Sequence, residues 1–222
     1  MKTQTYPSWD EEKLLWSKNR LVIGIDEVGR GAFAGPIVAA AVIYPYNFSF
    51  DKNSLLSQVN DSKKVKPNTR IALFSEIKKY ALFWSLGEVG VNIINKKGIG
   101  EANKMVFRKV VADILKQAKI YDPNFNFHLL VDGFHVKFIR EIGLSHQKAI
   151  IRGDQISFSI ASASILAKVH RDGLMERQNK TYPRYGFSKN KGYGTKEHQT
   201  ALKEFGMTKL HRNAFCKNFV DI

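Results

Sequence analysis

Four acidic residues, placed at or near the ends of hydrophobic segments, are the part of this sequence best suited to chemistry. Asp26 and Glu27 follow one apolar segment, and Asp132 follows a second. Asp172 lies in a later stretch with helical periodicity. If the four side chains converge, they cannot all remain ionised without a compensating cation. Oxygen ligands in that number favour hard cations, so the pattern predicts Mg²⁺ or Mn²⁺ rather than zinc.

Such a site would suit the hydrolysis of phosphodiester bonds. Two hard cations held about 3.5–4 Å apart by carboxylates activate a water molecule and stabilise the leaving oxygen. A structural alternative stays open for each acid, since an isolated Asp-Glu pair is usually a solvated strand end. Asp172 could equally form a salt bridge with Lys168 or Arg171. The sequence contains no phosphate loop of the Walker type and no Gly-x-Ser-x-Gly nucleophile, and its histidines lack zinc-site spacing.

The elements that must position these acids alternate between strand and helix. A glycine-punctuated turn follows the first two acids and leads to a second apolar strand. Ser8 and Glu11 match a capping box, which predicts a short helix before the first strand. Alternation of this kind favours an α/β layered domain over a sandwich. The hydrophobic pattern predicts strands over 21–25, 37–44, 83–91 and 127–131, a strand or hairpin over 148–160, and helices over 69–80, 98–120, 159–179 and 195–205.

The composition describes a basic globular chain. Its 222 residues carry 35 Lys and Arg against 20 Asp and Glu, a formal net charge of +15, and 44% are hydrophobic. Such a charge suggests a polyanionic partner, nucleic acid before an anionic membrane. No apolar run is long enough for a membrane span, and the N-terminal residues lack the apolar segment of a signal peptide. With Cys216 as the one cysteine, no disulfide can form within the chain, and we expect a cytoplasmic protein.

Basic and aromatic residues alternate in the last part of the chain. Between residues 179 and 217 it contains nine Lys or Arg and only two acids, Glu197 and Glu204. Lysines neutralise phosphates while aromatic rings stack on sugars or bases, so this composition is typical of a nucleic-acid-binding segment. A solvated helical tail packed on the main domain would have the same composition. The interleaved aromatic residues are Tyr182, Tyr185, Phe187 and Tyr193.

Short motifs along nearly the whole chain resemble one known family. The segments GIDEVGRG (24–31) and AGPIVAAAV (34–42) resemble the opening signature of ribonuclease HII. The motifs that follow in the order of that family are DSKK (61–64), VDG (131–133), ASILAKVHRD (163–172), YGF (185–187) and KGYGT (191–195). The resemblance implies an RNase H-like α/β fold, in which helices flank a mixed five-stranded sheet and a helical C-terminal extension follows. It implies a catalytic domain over 1–178 and a basic substrate-binding extension over 179–222.

The same resemblance implies an activity and a metal site. Ribonucleases of this type cleave the RNA strand of RNA/DNA hybrids and the 5′ side of ribonucleotides embedded in duplex DNA. They are endonucleases that leave 3′-hydroxyl and 5′-phosphate ends. The family's four metal-binding carboxylates, which hold Mg²⁺ or Mn²⁺ with two ions per site, match Asp26, Glu27, Asp132 and Asp172.

Further residues match the family's substrate contacts. Gly29, Arg30 and Gly31 match the loop whose backbone contacts the ribonucleotide 2′-hydroxyl, a task for which glycine suits because it permits close approach. Tyr193 is similar to the tyrosine at the RNA–DNA junction, where its ring would disfavour a second 2′-hydroxyl. A structural tyrosine in a glycine-rich turn is the alternative for this position. The resemblance also suggests phosphate contacts from Lys63, Lys64 and Lys168.

Departures from the family pattern are few. Ala32-Phe33 stands where the family more usually has Pro-Leu after the glycine loop. The segment Cys216–Ile222 shows no clear motif for binding a sliding clamp, so we expect no such partner and a monomeric protein. The sister family, ribonuclease HIII, is less similar, because it usually has an extra N-terminal domain and Glu as its fourth acid.

Two other functions stay open on the sequence. A non-catalytic module that binds duplexes would have the same basic surface, with its acids in structural roles. Another nuclease with an RNase H-like fold, such as a DNA resolvase, would cleave junctions that contain no ribose. The glycine loop and Tyr193 argue against a resolvase, since the target they imply is the 2′-hydroxyl.

Overall fold

Five strands and seven α-helices make up the fold within residues 6–137, 139 and 141–219, which the computed structural model describes. The strands are β1 (Leu21–Val28), β2 (Ile37–Ile43), β3 (Phe83–Val89), β4 (Phe127–Asp132) and β5 (Gln147–Ile150). The helices are α1 (Asp10–Trp16), α2 (Pro67–Tyr80), α3 (Val91–Tyr121), α4 (Phe158–Thr181), α5 (Phe187–Asn190), α6 (Lys196–Phe205) and α7 (Asn213–Cys216). None of these helices is both long and apolar enough to cross a membrane.

The strands form one sheet in the order β3-β2-β1-β4-β5. β1 pairs parallel with β4, and β4 pairs parallel with β5, whereas β2 is antiparallel to both β1 and β3. The predicted mixed five-stranded sheet is therefore confirmed. Because β1, β4 and β5 run in one direction, their carboxyl ends meet at the same edge of the sheet.

Hydrophobic residues cover both faces of the central strands. All seven residues of β2 are buried, and so are the first six of β1. Strands that are covered on both faces contain continuous apolar runs rather than an alternating pattern, which explains why β2 consists only of Ile, Val and Ala. Helix α3 packs on one face of the sheet, and α4 packs on the other together with α1 and α2.

Small residues let α4 approach β1 closely. A Cβ added at Gly24 would lie 2.3 Å from the backbone carbon of Ser159, so no larger side chain fits there. Ser157 caps the helix, because its side chain accepts a hydrogen bond from the Ile160 amide. Buried Glu12 of α1 accepts hydrogen bonds of 2.9 and 2.7 Å from the Ser159 amide and hydroxyl. These contacts determine how α4 sits on the sheet.

Element boundaries differ from the predictions at several points. β1 continues through Asp26 and Glu27, because their backbones still pair with β2, so both acids belong to the strand rather than follow it. Helix α3 starts at Val91 and carries a kink at Gly98, where φ is +79°. Ser8 does not cap α1 as predicted, since the next residue takes the N-cap position without a side-chain hydrogen bond.

The segment after α4 packs around an apolar cluster of its own. Tyr185, Phe187 and Leu202 form the centre of this cluster, and Met175 of α4 completes it. Phe33, which replaces the family's usual residue beside the glycine loop, packs against the same cluster. The predicted boundary between residues 178 and 179 falls inside α4, so this helix contributes both to the sheet layer and to the extension.

Candidate active site

A cavity of about 460 Å³ opens where the parallel strands end. Asp26 and Glu27 reach it from the end of β1. Asp132 reaches it from the end of β4, and Asp154 from the turn after β5. Parallel strands therefore bring these acids to one edge of the sheet. The other lining residues are Val28, Gly29, Arg30, Gly31, Ser62, Lys63, Ser164, Lys168 and Tyr193.

Asp26 and Glu27 approach the cavity from opposite faces of β1. Asp26 shares the face of Val22, which packs under α4, and Glu27 shares the face of Ile25, which packs under α3. The Glu27 amide donates a 2.7 Å hydrogen bond to Asp26 Oδ1. Arg30 Nη1 lies 3.9 Å from Glu27 Oε1. Successive side chains of a strand point to opposite faces of the sheet. Because both acids stand at the end of the strand, they nevertheless line the same cavity.

The turn after β5 places Asp154 beside Asp132. The Gly153 amide donates a 2.7 Å hydrogen bond to Asp132 Oδ1. Arg152 has a left-handed backbone with φ of +57°, and a Cβ on Gly153 would lie 2.6 Å from the Ile160 side chain. The turn is therefore tightly constrained. The sequence predicted only a strand or hairpin over 148–160 and missed Asp154 as a site residue, although an acid shortly after a further apolar strand was the available signal.

Burial raises the pKa values of all four carboxyl groups, and repulsion from a neighbouring acid adds to each rise, which for Asp132 comes from Asp61. Desolvation is the largest cause of the raised pKa in each case. The pKa of Asp26 lies well above its usual range, and the charges of Glu27 and Asp132 add to that shift. The pKa of Glu27 rises to about 7 and the pKa of Asp154 to about 6. The cluster is short of positive charge, which a bound cation would supply.

The donor set of the cavity suits a hard divalent cation. All four acidic donors are carboxylates, and none of the described lining residues is a histidine or cysteine. Among the described residues, no three His, Cys, Asp or Glu side chains lie close enough together to hold a metal ion as they stand. Mg²⁺ retains several waters and usually takes only one or two direct carboxylate ligands, so an open cluster of acids fits it.

Lys63 and Lys168 bring positive charge to the rim of the cavity. Lys63 belongs to a loop that is tied to α4, since the Ser164 hydroxyl donates a 3.0 Å hydrogen bond to Ser62 Oγ. Lys64, the third predicted phosphate contact, is exposed and does not line the cavity. Two of the three predicted lysines therefore stand beside the acids.

Asp172 lies outside this cavity, contrary to the expected convergence of four acids. It borders a neighbouring cavity of about 630 Å³. Its Oδ1 is 2.6 Å from Lys168 Nζ, and its Oδ2 is 3.5 Å from Arg70 Nη1. Of the α4 residues, Ser164 and Lys168 line the acidic cavity, whereas Asp172 lies about two turns, or about 12 Å, beyond Ser164. The salt bridge with Lys168, the structural alternative for this acid, is present.

The predicted glycine loop and Tyr193 border the acidic cavity. Gly29 has φ of +92°, and a Cβ there would meet the Arg171 side chain at 2.2 Å, so the fold itself requires glycine. A Cβ on Gly31 would touch nothing within 4 Å. The fold leaves this space open, and a ligand could therefore approach the Gly31 backbone. The Tyr193 ring lies 5.3 Å from the Arg171 guanidinium and 5.8 Å from Lys168 Nζ.

Comparison with known proteins establishes the family. The family model described as ribonuclease HII matches residues 23–218. The chain belongs to the ribonuclease HII family. The ribonuclease HII of Lactobacillus helveticus is 45% identical over 204 residues, which cover 92% of this chain and 74% of that protein. The ribonuclease HII of Chloroherpeton thalassium is 40% identical over 204 residues, 92% of this chain and 94% of that protein.

Solved structures share the fold. Ribonuclease H2 from Pyrococcus horikoshii OT3 has a TM-score of 0.69 at 22% identity and covers 90% of this chain and 96% of its own. The PCNA:RNase HII complex from Archaeoglobus fulgidus gives 0.64 at 25% identity, with 86% of this chain and 93% of that chain covered. Bst-RNase HIII in complex with Mn²⁺ gives 0.70 at 17% identity, with coverages of 90% and 69%. The predicted RNase H-like fold is confirmed.

Membership of the ribonuclease HII family settles the class of activity. The chain is a type 2 ribonuclease H, an endonuclease and phosphodiester hydrolase that acts on nucleic acid. It cleaves the RNA strand of RNA/DNA hybrids and ribonucleotides embedded in duplex DNA. The predicted class of reaction and class of substrate are therefore confirmed.

Proposed function

We propose that the acidic cavity is the active site and that it hydrolyses the bond on the 5′ side of a ribonucleotide, leaving 3′-hydroxyl and 5′-phosphate ends. The observation that carries the proposal is the position of the acids at the ends of three parallel strands, beside the glycine loop and Tyr193. In this arrangement one side of the cavity can hold the scissile phosphate. The other side can hold the adjacent 2′-hydroxyl.

The proposed metal ligands are four carboxylates that share the cavity. When bound, a pair of Mg²⁺ or Mn²⁺ ions supplies an activated water and stabilises charge on the leaving oxygen. The raised pKa values of Glu27 and Asp154 support this proposal, because a cation would offset the repulsion that contributes to them. The related Bst-RNase HIII was solved with Mn²⁺. The four carboxylates are those of Asp26, Glu27, Asp132 and Asp154.

Asp154 takes the place of Asp172 in this proposal. Asp154 lines the cavity, and Asp132 contributes to the rise of its pKa. Asp172 uses both carboxylate oxygens on Lys168 and Arg70 beside a different cavity. Asp172 therefore acts on the proposed site only through the lysine that it holds.

The basic side chains are proposed to bind the backbone of the duplex. Lys63 and Lys168 can neutralise phosphates beside the scissile bond, and exposed Lys64 can contact a phosphate further along the duplex. The basic extension over 179–222 would grip the duplex outside the cavity. Holding the substrate at several phosphates would keep the scissile bond over the carboxylates.

The glycine loop and Tyr193 are proposed to recognise the ribose. The backbone of Gly29, Arg30 and Gly31 would meet the 2′-hydroxyl, and the open space above Gly31 supports so close an approach. The Tyr193 ring would pack on the next sugar, where a second 2′-hydroxyl would be disfavoured. Selectivity would thus come from two sides of the same junction.

The proposal includes the setting in which the enzyme works. We propose a monomer that acts in the cytoplasm and needs no sliding clamp. The segment on which the clamp prediction was made ends with residues 220–222, which lie outside the described residues. The relative from Archaeoglobus fulgidus was solved in complex with PCNA, so clamp binding by this chain is worth measuring directly.

A DNA duplex that carries one ribonucleotide tests the proposal. We expect a cut on its 5′ side that requires Mg²⁺ or Mn²⁺, stops with a chelator and does not occur in the all-DNA duplex of the same sequence. End analysis should find a 3′-hydroxyl and a 5′-phosphate. Asp132→Asn should abolish the cut while folding and duplex binding stay largely intact.

Exposed Glu204 on α6 offers a matched control. Glu204→Gln removes one negative charge at a residue that does not line the cavity, and it should leave cleavage unchanged. Absence of a metal-dependent cut, together with equal binding of hybrid and DNA duplexes, would replace the proposal with a non-catalytic module. Cleavage of ribose-free DNA junctions would favour a resolvase.

A further inference from the structure

The side chain of Arg212, close to the end of the chain, donates hydrogen bonds to the backbone of the glycine loop. This side chain is fully buried. Its Nη1 donates hydrogen bonds of 2.7 Å to the Gly29 carbonyl and 3.1 Å to the Arg30 carbonyl. Its Nε and Nη2 donate bonds of 3.0 and 2.8 Å to the Gly35 carbonyl. One guanidinium therefore binds three carbonyl oxygens, on both sides of the loop.

Backbone carbonyls, rather than carboxylates, satisfy this buried cation. No described Asp or Glu forms a salt bridge with Arg212. A buried cation is costly unless hydrogen bonds compensate it, and the planar guanidinium with five fixed donors can bind several carbonyls at once. Neighbouring Arg171 is satisfied in the same way by the carbonyls of Pro36, Lys191 and Ala34.

The bonds to Arg212 fix which way the loop amides point, together with a 3.3 Å bond that the Ala32 amide donates to the Gly29 carbonyl. In a trans peptide, the carbonyl of one residue and the amide of the next point in opposite directions, and no described peptide bond is cis. The carbonyls of Gly29 and Arg30 are turned toward Arg212, so the amides of Arg30 and Gly31 are turned away from it. Neither amide donates a hydrogen bond within the described chain. Both residues line the cavity, whereas Arg212 does not.

We propose that Arg212 is a positioning residue for ribonucleotide recognition, which aims the Arg30 and Gly31 amides into the cavity as a pair of donors. Successive amides that point into one concavity bind anionic or oxygen-rich groups, here an oxygen of the ribonucleotide. The inference rests on the proposed function of the cavity. It makes a residue of the C-terminal extension part of substrate recognition without any contact to substrate.

The test compares Arg212→Ala, Arg212→Lys and Arg20→Met in the 222-residue chain, with a duplex that carries one ribonucleotide. Arg20 is a half-buried cation directly before β1, at the opposite end of that strand from the cavity, and it does not line the cavity. Arg212→Ala should lower kcat/KM by about 100-fold, because misplaced donors no longer fit the bound substrate. Arg212→Lys should lose part of the activity, since a single ammonium cannot bind all three carbonyls. Arg20→Met should behave like the unchanged protein.

Two readouts separate positioning from general destabilisation. Binding of the all-DNA duplex should be the same for Arg212→Ala and the unchanged protein. Added guanidinium should restore part of the cleavage by Arg212→Ala and none of the cleavage lost in Asp132→Asn. A positioning role predicts both results, whereas a loss of folded protein predicts neither.

Unchanged cleavage by Arg212→Ala overturns the inference, and so does a loss that guanidinium fails to restore. If Arg212→Ala does not fold, Arg212→Lys decides: reduced cleavage with unchanged binding of the all-DNA duplex supports the inference, and any other result overturns it. Cleavage by the unchanged protein separates this failure from failure of the proposed function. An active protein with unaffected variants rejects only the role of Arg212, and an inactive protein rejects the proposed function.

Discussion

Lys168 Nζ lies 2.6 Å from Asp172 Oδ1, and the same lysine borders the cavity that holds Asp26. The lysine and aspartate side chains are only 15% and 19% exposed. A pair this sheltered holds its lysine more firmly than a surface salt bridge would. Asp172 therefore has a role that can be separated experimentally from that of the carboxylate cluster.

Asp172→Asn should reduce cleavage without abolishing it. Lys168 would lose its partner and orient less well toward phosphate, so we expect KM to rise and kcat/KM to fall by about tenfold, as for other indirect partners. Steady-state kinetics on the single-ribonucleotide duplex measures this. Complete loss of kcat in a folded variant that still binds the duplex would instead return Asp172 to the metal ligands.

Asp154→Asn should be far more damaging than Asp172→Asn. Removing a proposed metal ligand should lower activity more than removing a residue that acts only through Lys168. We therefore expect kcat to fall by about 100-fold or more. Folding should not suffer, because the substitution relieves repulsion with Asp61 and Asp132. Cleavage rates and Mn²⁺ titration measure the two effects. Near-normal rates in this variant would remove Asp154 from the proposed site.

Two glycines of the same loop should respond differently to alanine. Gly29→Ala should destabilise the fold by about 1–2 kcal/mol from its left-handed backbone alone, with a further cost from the clash with Arg171. Gly31→Ala should leave the melting temperature unchanged, since its Cβ meets nothing within 4 Å. It should nevertheless impair cleavage, because the methyl group occupies the space proposed for the sugar. Thermal melts and kinetics together test this contrast, which full activity of Gly31→Ala would contradict.

Without metal, the acidic cluster should make the fold less stable as pH rises. The pKa of Glu27 is about 7 in the folded protein against an ordinary value of 4.5. Between these two values the folded state binds more protons than the unfolded state. The stability that Glu27 contributes is therefore full below pH 4.5 and lost as pH rises through 7. Bound Mn²⁺ requires the deprotonated carboxylates, so it should stabilise the protein more at about pH 8 than at about pH 5.

Thermal melts with Mn²⁺ and with chelator at the two pH values measure this coupling. The four-carboxylate site predicts a larger rise in melting temperature with Mn²⁺ at the higher pH. Asp132→Asn serves as the control, because it removes a proposed ligand and should weaken the effect of Mn²⁺. An equal effect of Mn²⁺ at both pH values would argue against binding at these acids.

Within the extension, two buried histidines connect Thr208 to the backbone of Tyr193. His211 Nδ1 accepts a 2.8 Å hydrogen bond from the Thr208 amide, so its proton is on Nε2. His211 Nε2 then donates to His198 Nε2 over 3.0 Å. His198 Nδ1 in turn donates to the Tyr193 carbonyl over 2.9 Å. Each histidine is neutral in this chain of hydrogen bonds, and protonation of either would disrupt it.

Mild acid should therefore weaken the extension. Burial lowers the pKa of His198, and the pKa of His211 falls to about 4 from an ordinary value of 6.5. The unfolded state binds more protons in this window, so the stability from the pair is full above pH 6.5 and lost as pH falls towards 4. Because the carboxylate cluster has the opposite dependence, the measurement is the difference in melting temperature between the unchanged protein and His211→Gln. That difference should shrink as pH falls, and a constant difference would contradict the prediction.

Local features of the fold were accessible from the sequence. The apolar run over 37–44 predicted a strand, and the structure buries its residues 37–43 on both faces, which suits a strand with no polar face to preserve. The apolar segments before Asp26 and Asp132 predicted strands that deliver acids, and the motifs around them indicated the family. The positive charge of the whole chain indicated a polyanionic partner.

Tertiary structure decided which distant groups meet. Asp172 has the residue type and helical setting of a candidate ligand, yet its position along α4 places it beside another cavity. Asp154 lies in a segment that the sequence predicted only as a strand or hairpin, but parallel pairing of β5 with β4 brings it beside Asp132. Arg212 meets the Gly29 carbonyl across 183 residues of chain. Hydrophobic periodicity relates residues that are close in sequence. The contacts between these distant residues depend instead on the order of the strands and on how far each helix extends along the sheet. No local sequence pattern encodes either.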